Sequence, residues 1–145
     1  MKPSLSIFAL AALFAIASLT QAHAQKHTSR VNVPFAFDCG SQHLAPGTYT
    51  IGLSYSGVLT VTGDKDGALV IIQSRSDADS PNMAPYVAFR KYGNQLFLAA
   101  YHPAGGVIAD LGMSAKERSL TRELAATPAD SGLVRLALND AASGR

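Results

Sequence analysis

Val31, Val33, Phe35 and Phe37 alternate with Asn32, Pro34, Ala36 and Asp38, a period of two that only an extended strand converts into one apolar face. Short runs of the same kind follow, each closed by glycine, proline or aspartate. Thr48 to Leu53 comes after the turn Leu44-Ala45-Pro46-Gly47, and Val58 to Thr62 leads through Gly63-Asp64-Lys65-Asp66-Gly67 into Ala68 to Gln73. Tyr86 to Tyr92 and Gln95 to Tyr101 flank Gly93-Asn94, a two-residue hairpin signal. Val107 to Leu111 and Leu133 to Leu138 complete the set. Runs this short and this closely punctuated exclude βαβ units. They predict a mainly β fold, a small antiparallel β-sandwich or partly open barrel of about seven to eight strands.

Several details refine that expectation. Pro34 has no amide to donate to a ladder, which marks the first strand as an edge strand, or as one whose even positions point their backbone donors away from a neighbour, and Pro34 as a candidate interaction residue. The unbroken Leu69-Val70-Ile71-Ile72 predicts burial on both faces or a bulge, and the polar stretch from Ser74 to Pro85 predicts the longest loop. One segment breaks the β rhythm. Ser114-Ala115-Lys116-Glu117 has the spacing of a capping box, with the serine hydroxyl on the third amide and the glutamate carboxylate returning to the cap. Leu120 and Leu124 continue it on one side, so a short helix is expected at 114–126, near the C-terminus.

The first 24 residues read differently. Lys2 precedes an uncharged apolar run from Leu5 to Leu19, and Ala22-His23-Ala24 supplies small residues at the −3 and −1 positions, so a cleaved signal peptide is expected at 1–24. The apolar run is shorter than the roughly 20 residues a membrane-spanning helix needs. Export to the periplasm or the extracellular space follows as the expected localisation, with no membrane partner after cleavage. Residues 25–30 are expected as a flexible leader, 31–138 as one β-rich domain and 139–145 as a flexible tail. Without Lys2 the formal net charge falls to about +1, which argues against a nucleic-acid partner.

Candidate chemistry is sparse. Cys39 is the only cysteine, so an internal disulfide is impossible, and a buried thiol or an intermolecular disulfide remains. His27, His43 and His102 lack metal-ligand spacing, and Asp64 with Asp66 and Asp77 with Asp79 fit turn and loop roles better than calcium ligation. Neither a Gly-x-Ser-x-Gly elbow nor a phosphate-cradling loop occurs. No metal, cofactor or catalytic residue is therefore expected. Tyr86, Phe89, Tyr92, Phe97 and Tyr101 concentrate rings in one hairpin, and alternation places some of them opposite the core. Tyr86, Tyr92 and Tyr101 are accordingly candidate binding residues.

Val31-Asn32-Val33-Pro34-Phe35-Ala36-Phe37, Leu44-Ala45-Pro46-Gly47-Thr48-Tyr49, Phe89-Arg90-Lys91-Tyr92-Gly93 with Phe97-Leu98, and Ser114-Ala115-Lys116-Glu117-Arg118, in this order behind a secretion signal, carry a resemblance. The chain resembles a group of small exported β-rich proteins of unknown function found in soil acidobacteria. The resemblance implies export and a β-rich fold with a late helix, and transfers no catalytic residue; Cys39 departs from the small or apolar residue expected there. The expected function is a non-enzymatic domain with a structural or protein-interaction role, self-associating through an exposed sheet edge. A carbohydrate-binding module on surface aromatics, with an envelope polysaccharide as partner, is the alternative, and a small hydrolase the third.

Overall fold

The computed structural model describes residues 27–77, 83–105, 107–125 and 131–140, so the signal segment lies outside the described residues. The strands are β1 (His27–Val33), β2 (Phe37–Cys39), β3 (Gln42–Leu44), β4 (Gly47–Leu53), β5 (Val58–Thr62), β6 (Gly67–Ile71), β7 (Ser74–Asp77), β8 (Tyr86–Tyr92), β9 (Gln95–His102), β10 (Val107–Asp110), β11 (Ser131–Ala137) and β12 (Asn139–Asp140). Helix α1 (Ala115–Leu124) stands between β10 and β11. One sheet runs β12-β1-β4-β5-β6. The other runs β11-β8-β9-β10-β7, with the β2–β3 hairpin joined to β9. The result is a mainly β, open sandwich in which every pairing is antiparallel except β2 with β9.

The alternating run at 31–37 is divided between the two sheets. β1 ends at Val33, Pro34 to Ala36 cross over, and Phe37 opens β2. Proline cannot extend a ladder, so the chain leaves one sheet there, yet Val31, Val33 and Phe37 all remain buried in the shared core. Pro34 itself is exposed and belongs to neither sheet, a correction to its expected place within an edge strand. β1 is paired to β4 along its whole length, and to β12 at Ser29 and Arg30. His27 to Arg30, expected as a leader, are thus already strand.

Two further expectations change. Ser74 to Asp77 form β7 against β10 rather than the start of a loop, while 78–82 lie outside the described residues. Leu69 and Ile71 are exposed, whereas Ala68 is buried and Val70 and Ile72 are half-buried against the core. The apolar run of β6 therefore obeys strict alternation with one face in water. No bulge is needed there.

A bulge does occur in the hairpin of β8 and β9. The two-residue turn at Gly93-Asn94 is as expected, with Gly93 at φ +57°, a conformation glycine adopts without penalty. Farther along, Ala88 faces Ala100 but Phe89 faces Leu98, which leaves Ala99 as the extra residue. The insertion changes the phase of β9, so Leu98 and Tyr101 both enter the core. Phe37 sits at the centre of that core, edge-to-face with Tyr49 at 5.3 Å and with Phe89 at 5.2 Å.

Candidate functional site

Helix α1 lies where the sequence expects it, and its cap forms in part as expected. Ser114 Oγ accepts the Glu117 amide at 3.1 Å, but the Glu117 carboxylate does not return to the cap. That side chain is only 1% exposed and pairs with Arg90 of β8, Oε1 accepting from Nε at 2.5 Å and Oε2 from Nη2 at 3.2 Å. Arg90 Nη2 also donates to the Leu111 carbonyl at 3.2 Å. A buried carboxylate takes the strongest donor within reach, and a charged guanidinium fork is a stronger donor than a single neutral amide. Burial and the Glu117 charge push the Tyr92 phenol upward, with Arg90 opposing.

One residue earlier, Lys116 Nζ donates to Asp38 Oδ2 at 2.8 Å and lies over the Phe97 ring, 5.9 Å from its centroid. Asp38, buried on β2, also takes His43 Nδ1 at 2.9 Å. The two acidic groups on this face are thus committed to fastening α1 and the β2–β3 hairpin to the sheet. Sequence reasoning missed both pairs because they join residues 27 and 78 positions apart.

The candidate aromatics divide. Tyr101 is fully buried; its hydroxyl meets Ser29 Oγ at 3.0 Å and lies 3.4 Å from the Ile51 carbonyl, so it joins the two sheets instead of facing outward. The bulge at Ala99 is the reason. Tyr86 and Tyr92 do face away from the core but are half-buried. Tyr86 stacks on His102 of β9 at 5.0 Å and 9°, and Arg135 of β11 lies 4.9 Å from its centroid. His102 is buried with neither ring nitrogen hydrogen-bonded. Tyr92 is edge-on to Phe97 at 6.0 Å. Among the described residues the ring most open to solvent is instead Tyr55, 71% exposed in the β4–β5 turn.

Cys39 lies in the core beneath the β2–β3 turn, and burial pushes its thiol up to about 12. An intermolecular disulfide therefore has no exposed sulfur to start from. Tyr49 is similarly pushed up to about 12 by burial and by Asp66, whose Oδ1 lies 3.0 Å from the phenol oxygen; that hydroxyl also meets the Ala45 carbonyl at 2.5 Å. Asp66 Oδ2 accepts the Ala45 amide at 3.1 Å, so this aspartate supports a turn. In the unfolded chain these two groups ionise near 9 and 10 and lose their protons first. The contribution of these two groups to stability is then level well below pH 9 and falls as pH rises from 9 toward 12. A pH series of urea unfolding checks this: Cys39→Ala reduces the alkaline loss, and the native thiol stays silent to an aromatic disulfide reagent until the chain unfolds. A thiol that titrates rapidly in native buffer contradicts the burial argument.

The feature most open to a partner is the edge of β6. Leu69 and Ile71 are 68% and 75% exposed, and β6 pairs with β5 alone. Hydrogen bonds from Gly63 N to Asp66 O at 2.8 Å and from Ile72 N to Gly57 O at 2.9 Å set the phase of this hairpin. Even-numbered residues of β6 bond across to β5, so Gly67, Leu69 and Ile71 direct their amides and carbonyls to the open side. A shallow groove of about 430 Å³ spans β5 and β6 and reaches the β2–β3 turn, lined by Ser41, Gln42, Thr60, Thr62, Gly67 and Leu69. Groups of three or more potential metal ligands do not occur among the described residues, nor does any of their helices have the length and apolarity to cross a membrane. Comparison with family models, with curated proteins and with solved structures gives no match. The class defined by fold and surface is a β-sandwich with an aromatic core and, among the described strands, an open apolar edge at β6.

Proposed function

We propose that the protein is an exported, non-enzymatic domain that works through protein contacts at the β6 edge. The observation that carries this reading is the coincidence, on one strand, of outward backbone donors and acceptors with two large exposed apolar side chains. β-strand addition uses both at once, the backbone for affinity and the alternate side chains for selection. Asp38 and Glu117 support the non-enzymatic part, because each is held by cations that fasten structural elements. The leader pattern at 1–24 supports export. A sugar-stacking role draws less support, since Tyr86 and Tyr92 are already engaged by His102, Arg135 and Phe97.

Expression of the full chain in a Gram-negative host, with a photo-crosslinking residue in place of Ile71, tests both parts. The protein recovered outside the cytoplasm is expected to begin at Gln25 by mass. Ultraviolet light is expected to give protein adducts at position 71 and none at the exposed Thr48 of β4. Adding Leu69→Lys removes the adducts while the melting temperature stays within about 2 °C, as for other exposed positions. Adducts indifferent to the lysine, or equal at both positions, overturn the edge as the working element.

A further inference from the structure

We propose that β6 pairs with β6 of a second copy of this chain, antiparallel about a two-fold axis at Val70. The inference rests on reading β6 as the docking edge and names its occupant. Three observations lead to a second copy. First, the outward backbone groups belong to the odd residues Gly67, Leu69 and Ile71, and an antiparallel self-pairing with its axis at a residue joins odd to odd, so donors meet acceptors across the axis. Second, with the axis at Val70, Leu69 of each copy faces Ile71 of the other. The two most exposed apolar side chains of the strand then cover one another twice. An axis at Leu69 would leave Ile71 opposite Gly67, which has no side chain to cover it.

Third, β6 carries no charge and no proline, so identical strands meet without like-charge opposition. The other open edges among the described strands are guarded: β7 is Ser-Arg-Ser-Asp and wholly exposed, β11 carries Arg135, and β3 and β12 are three and two residues long. Pairing would join the two five-stranded sheets into one sheet across the axis. Five residues per copy make a small contact, so the dimer is expected to be reversible and to exchange with monomer.

Sedimentation equilibrium of the purified protein tests the pairing and its register. The parent is expected to show a monomer–dimer equilibrium. Leu69→Lys and Ile71→Glu, each acting at both symmetric contacts, are each expected to raise the dissociation constant at least about tenfold. Their combination places the introduced lysine opposite the introduced glutamate of the other copy, and is expected to restore dimer at low salt and lose it again at high salt. Leu69→Thr and Ile71→Thr keep the strand preference and weaken the dimer in the same direction by less. A parent that stays monomeric at every concentration overturns self-pairing. If crosslinked adducts at position 71 then persist, the docking edge stands with another protein as partner; if they are absent, both readings fall. A dimer insensitive to both single substitutions, or a combined variant no better than either single one, overturns the pairing proposed here.

Discussion

Arg90→Ala is expected to cost about 3–5 kcal/mol of folding stability, the loss that follows when one partner of a buried ion pair is removed and the other stays behind. The cost arises at Glu117, not at the arginine. The Glu117 side chain is 1% exposed, and with the guanidinium gone its two oxygens lose their charged donors in a place water does not reach. Arg90→Lys keeps a charge but not the fork or the third bond to Leu111, so an intermediate loss is expected. Arg90→Met with Glu117→Leu removes both charges and is expected to recover much of the stability, because the pair then leaves no charge unmatched. Thermal and urea unfolding read all four proteins. For a domain of this size the alanine variant should melt roughly 10–20 °C lower. A loss below about 1 kcal/mol would show that α1 is held by its half-buried leucines and not by this pair.

Phe37→Ala is expected to cost a similar 3–5 kcal/mol for a different reason. Phe37 touches Tyr49 of one sheet and Phe89 of the other edge-to-face, so its ring fills the space where the sheets meet. Truncation leaves a cavity that rigid sheet backbones on both sides cannot close, and the transfer and cavity penalties add. Phe37→Leu restores most of the volume and should cost roughly 1–1.5 kcal/mol. Urea unfolding with an unchanged m-value checks that the loss belongs to the folded state. If alanine is tolerated within about 1 kcal/mol, the aromatic cluster is not what holds the sheets together. The outcome also bears on function, since rings that stabilise the core are withdrawn from ligand binding.

Both expectations rest on partners that no local pattern announces. The spacing of Ser114 and Glu117 is enough to place the helix start, and the cap forms; where the carboxylate goes depends on Arg90, brought close only after β8 joins β9 and α1 folds back across them. Tyr101 shows the same limit. Period-two reading is sound within a strand, but one extra residue at Ala99 inverts the face of everything beyond it. The candidate edge at Pro34 proved to be a corner, whereas the open edge at β6 was hidden in a run whose composition alone suggested burial.

By itself the sequence determined the class of fold, most of the strands and their turns, the helix at 115–124 with its Ser114 cap, and the impossibility of an internal disulfide. These follow from interactions between residues a few positions apart, where backbone geometry and side-chain period are decided. Only the tertiary structure decided which strands end a sheet, which carboxylates are paired, and that Leu69 and Ile71 face water beside an open ladder. Sheet neighbours are chosen by contacts between distant segments, and exposure is a property of what fails to cover a strand, so neither is written in the strand's own residues.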